Sequence, residues 1–441
     1  MALLYCVNLS AAALLALWPL WFSRFRLRLP ILNPFTITLG IGLPVELMKL
    51  IGGPLVLLDD GLFDKGYQFA VLATNVLVLS QLCGVLFFFN CCRLYRIDNL
   101  LPFQNLILSS RILRCGSILA LCVYGVAFYL LASAEFGVFN WIVNPREGYQ
   151  LHRTGQGHWY GLAITALSVS LLLSLFSAPT ARTTLLKTPI YLLMAYLLGS
   201  KLVMLSLFTS ILIFLWFIGW RSLTKTIVLG TPLIFSLLVI NLFLALSDNF
   251  DVQAIFEYFD YYKNAADYYR AYLGNEIDLF WGEVIASSFA SYIPRSLWPE
   301  KPFVYGVLLV NEIFYPGQAE LTNTPAFGGA VEQFADFGFP GVILSGFFGS
   351  YAVSIAITSH FIFRRSGIDF KHISVATIVL MFVQFVPTFG MFFPGGLYFA
   401  LLFLVSILLA LASKTRRRRT KFIQNRSFRL GTSSTGTNSV N

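Results

Sequence analysis

Apolar stretches recur along this chain and are separated by short polar connections. A helix needs about 20 apolar residues to cross a hydrocarbon core of about 30 Å, and many of the stretches are near that length. We therefore predict an all-α polytopic membrane protein with about eleven transmembrane helices. The predicted spans are roughly 2–23, 33–58, 68–90, 115–133, 161–178, 188–200, 202–220, 226–247, 341–363, 373–391 and 395–413.

The composition agrees with a membrane protein and excludes several other classes. Of the 441 residues, 57% are hydrophobic and 12% are charged, and the mean hydropathy is +0.73. A soluble domain carries roughly 25% charged residues. This deficit excludes a soluble globular enzyme, a disordered chain and a small secreted module held by disulfides.

The basic residues indicate which connections face the cytoplasm. Of the 31 Lys and Arg residues, 22 fall in one alternating set of connections and in the C-terminal tail. Cytoplasmic connections are enriched in Lys and Arg, so this set is predicted to be cytoplasmic, with the N-terminus outside and the C-terminus inside. The alternation requires 188–220 to form two spans that turn at Gly199–Ser200–Lys201. One long helix there would reverse the membrane orientation of every later span.

This topology divides the chain into four regions. Spans one to eight occupy 1–247, with a short external loop at 134–160; a large extracytoplasmic loop follows at 248–340; spans nine to eleven occupy 341–413; and 414–441 is a basic cytoplasmic tail. The run Arg416–Arg419 lies next to the last span. We therefore interpret it as an anchor at lipid headgroups and expect no nucleic acid as a partner.

The large external loop contains 13 of the 21 acidic residues and only four basic ones, Lys263, Arg270, Arg295 and Lys301. Long loops without internal structure are usually functional. At 257–272, tyrosines that include Tyr268 and Tyr269 repeat with offsets that suit one face of a helix. This face could stack on sugar rings, or it could mark the depth of the membrane interface.

Residues 291–302 contain three prolines, which forbid a regular helix and stiffen an extended path. Arg295, Lys301 and Trp298 lie on this path. A guanidinium suits a pyrophosphate because it offers two parallel donors and keeps its charge. The alternative is a rigid loop with solvated charges.

Glu332 and Asp336 are four residues apart just before the ninth predicted span, so on a helix they share a face. A carboxylate desolvated at the membrane boundary could have a raised pKa and act as a general base on a hydroxyl. The alternative is a polar helix start that complements the helix dipole.

The shorter external loop contains Arg146 and Arg153 together with His152 and His158. The two histidines are six residues apart and lack a nearby Cys, so no zinc site is predicted. Lys201 either meets a phosphate or extends its amine to the membrane surface. Phosphate-binding Walker and Rossmann glycine patterns do not occur, so no nucleotide cofactor is expected.

The motifs of the large loop resemble those of bacterial oligosaccharide repeat-unit polymerases of the O-antigen type, which are related to O-antigen ligases. The resemblance is carried by Pro294–Pro302, by Gly328–Glu332 and by Phe334–Gly341. In addition, Gly199–Ser200–Lys201 resembles a Ser-Arg element of that family, with Lys in place of Arg.

The resemblance implies an inverting, metal-independent glycosyltransferase of the membrane-embedded GT-C-like type in the bacterial plasma membrane. Such an enzyme needs no cofactor and moves a growing glycan from polyprenyl pyrophosphate onto a new lipid-linked unit. Its other partners would be membrane lipids, a chain-length regulator and a flippase. By the resemblance, Arg295 contacts the pyrophosphate and Lys201 replaces the family's arginine, while Glu332 stands where the ligases have a histidine proposed as base.

Three other functions remain open on the sequence. The first is a ligase that passes finished glycan to a different acceptor. The second is a flippase or transporter, which predicts ionisable residues deep in several spans; such residues are sparse here. The third is a scaffold, which leaves the proline-rich stretch unexplained.

Overall fold

A computed structural model describes residues 2–30, 33, 36–37, 48–94, 107–135, 137–151, 157–219, 256, 261–293, 295, 297–318, 325–366 and 373–374. The longer helices are α1 (Ala2–Ala16), α4 (Lys65–Leu94), α5 (Ser110–Glu135), α8 (Gly157–Ser177), α9 (Ala181–Leu197), α10 (Lys201–Phe217), α11 (Tyr261–Leu273) and α15 (Phe339–Ser366). The shorter ones are α2 (Trp18–Trp21), α3 (Gly53–Leu57), α6 (Val138–Val143), α7 (Pro145–Leu151), α12 (Glu283–Ser288), α13 (Leu308–Phe314) and α14 (Val331–Phe337).

The helical architecture confirms an all-α, multi-pass membrane protein. Within the described ranges, four helical segments are long and apolar enough to cross a membrane: Tyr5–Arg26, Lys65–Asn90, Ser110–Ala134 and Gly157–Ser177. The predicted spans at 226–247 and 395–413 and the basic tail lie outside the described residues, as do parts of 33–58 and 373–391. The number of eleven spans therefore stays a prediction.

The apolar region 188–220 forms a helical hairpin. Helix α9 starts earlier than predicted, because the hydroxyl of Thr180 accepts a hydrogen bond from the N–H of Thr183 at 3.3 Å and caps the helix. It ends at Leu197, and α10 begins at Lys201. Between them, Gly199 adopts a positive φ of 69°, which a residue without Cβ tolerates. Because α9 and α10 also pack against each other, the predicted turn at this point is confirmed.

Two main hydrophobic clusters organise the helices. One joins α5, α8, α9 and α10. The other joins α4 to α11, to α14 and to the start of α15. A short antiparallel pair of strands, β1 (Ile107–Leu108) and β2 (Ile373–Ser374), links two segments that the charge pattern places on the cytoplasmic side.

Polar side chains between α1 and α4 are paired across the two helices. The Asn8 amide donates to the side-chain oxygen of Gln68 at 3.0 Å, and the Asn75 amide donates to the backbone carbonyl of Asn8 at 3.1 Å. A polar group left unpaired in hydrocarbon is costly, so such bonds stabilise the contact between spans. They fix α1 against the N-terminal half of α4.

Helix α4 carries a stripe of small residues on one face, and three partners approach its backbone there. The stripe consists of Gly66, Ala70, Ala73, Ser80 and Gly84, all of them buried. Small residues allow helix backbones to come close, which maximises dispersion contacts where no hydrophobic effect acts between spans. This stripe therefore explains why α4 contacts α11, α14 and α15. We call it the small-residue seam.

Helix α15 packs along the inner part of this seam. A Cβ on Gly346 would stand 2.6 Å from the carbonyl oxygen of Leu77 and 2.9 Å from Cβ of Ser80. Likewise, a Cβ on Gly84 would collide with the carbonyl oxygen of Phe347. Both glycines are therefore required by the distance between α4 and α15. By contrast, a Cβ on Gly349, on the exposed side of α15, would meet nothing within 4 Å.

We expect Gly346→Ala to lower the free energy of unfolding by about 1–3 kcal/mol, because the added methyl forces α15 away from α4. Gly349→Ala, on the same helix, is the matched control and should leave the stability unchanged. Thermal unfolding of the two purified variants in detergent measures the difference. Equal melting temperatures would mean that the seam is not tightly packed.

Candidate functional site

Helix α11 is attached to the N-terminal end of α4 through Asp64. One carboxylate oxygen of Asp64 accepts the backbone N–H of Tyr67 at 2.8 Å and caps α4. The other accepts the guanidinium of Arg270 at 2.6 Å, and the Asp64 side chain is only 7% exposed. Arg270 also pairs with Asp267 at 2.8 Å. The hydrogen bond to Asp64 raises the pKa of Arg270, so this predicted substrate-binding cation is engaged in docking α11.

From Tyr261 onward the tyrosine-rich stretch forms a helix as predicted, but the aromatic face of this helix is buried inside the protein. Tyr268 and Tyr269 have no exposed surface, and both rings pack edge-on against Phe334 of α14. The Tyr269 hydroxyl donates to the backbone carbonyl of Gly329 at 2.7 Å. No ring face of these two tyrosines is open to a sugar or to the membrane interface. They build the hydrophobic cluster between α4, α11 and α14 instead.

The Gly328–Gly329 pair lets the chain enter α14 close to α4 and α11. A Cβ on Gly329 would lie 2.7 Å from Cβ of Ala70 and 2.9 Å from Cβ of Ala265. Ala330 then adopts a positive φ of 58° immediately before α14. The glycine pair therefore positions the first turn of α14, and Glu332 with it, against the seam.

Glu332 and Asp336 lie on the same helix but have different surroundings. The Glu332 side chain reaches the surface, and the protein atoms packed around its carboxyl partly desolvate it, which raises its pKa. Asp336 is 2% exposed, and its two oxygens accept three backbone N–H groups, of Gly282 at 3.0 Å, Val284 at 2.9 Å and Ile285 at 2.8 Å. Asp336 thus caps α12, whereas Glu332 keeps its carboxylate available.

The proline loop, residues 291–302, is held by its own two cations. The guanidinium of Arg295 donates to the backbone carbonyls of Lys301 and Pro302 and lies 3.8 Å above the ring of Phe303. The Lys301 amine donates to the carbonyl of Ile293 at 3.1 Å and lies 4.6 Å from the ring of Tyr305. These bonds fix both side chains without neutralising them.

The electrostatics of this loop favour an anion. Among the described residues, no carboxylate lies within ion-pair distance of Arg295 or Lys301. The pKa of Lys301 is lowered by burial and, to a smaller extent, by the nearby positive charge of Arg295. A bound anion would relieve both effects. Arg295 still has three N–H donors beyond its two carbonyl bonds, enough for a bidentate contact.

Trp298 lies at the tip of the proline loop and is 38% exposed. Its carbonyl accepts the N–H of Lys301 at 3.1 Å. At the base of the loop, the Ser287 hydroxyl accepts the N–H of Gly306 at 2.8 Å. The loop is therefore closed at its base, and its tip presents a partly exposed aromatic ring.

Lys201 and Arg146 lie near the other hydrophobic cluster, close enough for their two positive charges to interact. Gly199 packs against the carbonyl of Pro145 so closely that any Cβ would collide with it, and the Trp141 indole donates to the carbonyl of Leu197 at 2.8 Å. These contacts seat α7 on the turn of the hairpin. Arg146 lies over the ring of Tyr149 at 5.1 Å. Arg153 and His152 lie outside the described residues.

Asp64 and the seam glycines are structural partners of the site that the sequence motifs do not identify. Asp64 comes directly before a 30-residue helix. Asp is a frequent cap at this position, so the sequence alone indicates its capping role. Its pairing with Arg270, 206 residues away, is a tertiary contact without a sequence signal. In the described part of the chain, no group of three or more His, Cys, Asp or Glu could hold a metal ion.

Comparison with known proteins identifies relatives of the chain. It is 23% identical over 280 residues to the O-antigen polymerases of Salmonella typhimurium and of Salmonella typhi. The chain resembles O-antigen polymerases. The alignment covers 62% of this chain and 66% of each polymerase, so it spans just under two thirds of the length of these relatives. No family model matches the chain, and no solved structure matches it.

Two conservative substitutions on α14 should separate the structural carboxylate from the available one. We expect Asp336→Asn to lower the free energy of unfolding by about 1–3 kcal/mol, because the neutral amide cannot satisfy three buried N–H groups. Glu332→Gln should leave stability at pH 7 unchanged or raise it. A carboxyl whose pKa is raised on folding contributes stability only at low pH, and loses it as the pH rises through the folded pKa.

Melting temperatures of the wild type and of both variants at pH 5 and pH 7 measure this difference. If Glu332→Gln proves as destabilising as Asp336→Asn, Glu332 has a structural partner and the distinction between the two carboxylates is wrong.

Proposed function

We propose that this protein polymerises oligosaccharide repeat units carried on polyprenyl pyrophosphate. The unpaired cations of the proline loop are the observation that carries this proposal, because they form a positive site suited to a pyrophosphate. The similarity to O-antigen polymerases supports the same substrate class. Members of the resembling family take a sugar from a lipid-linked donor, which agrees with the missing nucleotide motifs in the sequence.

The proposed reaction transfers the growing glycan from its lipid carrier to a new lipid-linked unit. A hydroxyl oxygen of the acceptor sugar bonds to the anomeric carbon of the donor glycan, with inversion. The bond between that carbon and the pyrophosphate oxygen breaks, and its electron pair leaves on polyprenyl pyrophosphate. The acceptor hydroxyl gives its proton to a general base.

Arg295 and Lys301 stabilise the departing pyrophosphate. Negative charge develops on this group as the glycosidic bond breaks, so fixed cations bind the transition state more strongly than the ground state. The hydrogen bonds and ring contacts of the loop hold both cations in place before the substrate arrives. In this scheme the reaction needs no metal ion, because the two side chains supply the positive charge.

Glu332 is the proposed general base. Its carboxylate is at the surface, and its raised pKa makes it a stronger proton acceptor than an ordinary glutamate. Trp298, Lys201, Arg146 and Arg153 are proposed to bind parts of the two substrates. We assign Arg270, Asp336, Tyr268 and Tyr269 to the construction of the site, on the contacts described above.

The proposed setting is the bacterial plasma membrane, with 248–340 outside, the N-terminus outside and the C-terminus in the cytoplasm. Contacts between distant segments support this arrangement. Asp64 and Arg270, both predicted outside, pair with each other, and Arg26 donates to Asn90, both predicted at the cytoplasmic side. Eleven spans, the four regions of the chain and a GT-C-like architecture belong to the same proposal, as do a chain-length regulator and a flippase as partners.

A ligase that transfers finished glycan to another acceptor is an alternative function that uses the same type of reaction. In a deletion strain, loss of chain length with attachment intact supports the polymerase, whereas loss of attachment of full-length chains supports the ligase. A transporter is the alternative from a different class. It predicts that the purified chain alone, reconstituted in vesicles, translocates a lipid-linked sugar.

We expect Glu332→Gln to abolish long polymer while the protein remains inserted and folded, because the amide cannot accept the hydroxyl proton. Glycan ladders on gels from a complemented deletion strain measure chain length, with immunoblots of membrane fractions as the control for insertion. Gln333→Glu, combined with Glu332→Gln, tests whether a carboxylate one residue away can substitute. A wild-type ladder from Glu332→Gln contradicts the assigned role.

We expect Arg295→Ala to abolish long polymer and Arg295→Lys to restore it only in part, because an amine keeps the charge but cannot bind a pyrophosphate bidentately. Lys263→Ala is the matched control for charge. Lys263 is a cation of the same external segment, is already paired with Asp267 at 2.9 Å, and should leave the ladder unchanged. Full activity of Arg295→Ala would exclude the proline loop as the pyrophosphate site.

A further inference from the structure

A row of large apolar side chains lies exposed along the segment that contains α12 and the proline loop. Its members occur every fourth residue and are Trp281, Ile285, Phe289, Ile293 and Leu297, which we call the apolar row. Trp281 is 76% exposed and Leu297 is 78% exposed. Large apolar side chains that are exposed together mark interaction sites, whereas apolar residues exposed singly need no explanation.

The backbone that carries the apolar row is firmly held, so the exposure does not arise at a loose end. Asp336 binds three N–H groups at the start of α12. In addition, the N–H groups of Phe280 and Trp281 donate to the carbonyls of Ala335 and Asp336 at 2.9 and 3.0 Å. The segment is therefore fixed to α14, with its apolar side chains directed away from the core.

The contacts of α14 and α15 place this segment at the membrane boundary. Phe339, the first residue of α15, lies with its ring 5.4 Å from that of Phe69, and Phe334 of α14 lies 5.9 Å from the same ring. Phe69 is only about one turn from Lys65, the first residue of the candidate span of α4. The apolar row thus begins at the level where α4 enters the hydrocarbon.

Lipid is the occupant that these observations favour. The lipid-facing side of α15 continues the same surface, since Ile343, Leu344 and Phe348 are also exposed, and Phe337, 39% exposed, stands between the two. Tryptophan is enriched where proteins meet the headgroup region, and Trp281 lies at the start of the row. The surface is therefore continuous with one that a bilayer covers.

We propose that the segment Trp281–Ile293, together with Leu297, lies in the plane of the membrane and inserts the apolar row into the interfacial region of the bilayer, at the end of α4 that begins with Lys65. This arrangement would hold Arg295, on the same segment, at the depth of lipid phosphates. The proposal depends on the contacts with α4 and not on the proposed catalytic function.

Spin labels in proteoliposomes test the proposal. The six cysteines of the chain are replaced by alanine, and single cysteines at Ile285, Phe289 or Leu297 are labelled with a nitroxide. The matched control is Glu300, three residues beyond Leu297 and also exposed. Collision with oxygen, which concentrates in lipid, is compared with collision with a water-soluble nickel chelate.

We expect labels at 285, 289 and 297 to collide several-fold more with oxygen than with nickel, and the label at 300 to show the reverse. Access to nickel equal to that at 300 overturns the proposal in favour of a solvated surface. Protection from both reagents with spin–spin broadening overturns it in favour of a contact between two copies of the chain.

If the cysteine-free chain does not fold, the intact protein gives an independent answer. The fluorescence lost in Trp281→Phe is compared in vesicles whose lipids carry bromine at shallow or deep positions of the acyl chain. Stronger quenching by shallow bromine supports an interfacial position of Trp281. A component that neither lipid quenches overturns the proposal.

Discussion

The small-residue seam of α4 is the constraint on which the described structure depends. Side chains there are small enough for three backbones to approach: α11 at Gly66, the glycine pair before α14 at Ala70, and α15 at Leu77 and Gly84. Within a membrane, association of helices relies on such close contact, because lipid is as apolar as the side chains. One helix thereby sets the positions of α11, α14, α15 and Glu332.

The charged side chains described above have two roles: some stabilise the fold, and others keep their charge available to an anion. The carboxylates of Asp64 and Asp336 lie against the N-termini of α4 and α12, where N–H groups lack partners and the helix dipole favours an anion. Both carboxylates therefore act as helix caps. Arg270 forms an ion pair with Asp64. Arg295 and Lys301 are held instead by carbonyl oxygens and aromatic rings. This type of contact orients a cation and leaves its charge available to an anion.

The sequence predicted the local structure of residues 261–302 well and their tertiary roles less well. Tyrosine spacing and the prolines indicated α11 and the irregular loop, since each is a property of neighbouring residues. The burial of the tyrosines and the capping by Asp336 depend on Phe334 and α12, which come close only in the folded chain. The site roles of Arg295, Glu332 and Lys201 stay predictions.

The seam joins parts of the chain that are synthesised far apart in time. Helix α4 ends at Leu94 and α15 begins at Phe339, so roughly 240 residues separate them, which takes roughly 12–50 seconds at about 5–20 residues per second. During this interval α4 resides in the bilayer without its partner. Glycine and alanine are suited to this state of α4, because they leave no polar side chain without a hydrogen bond in lipid. The same small residues that permit the final contact with α15 also allow α4 to face lipid at low energetic cost before α15 is inserted.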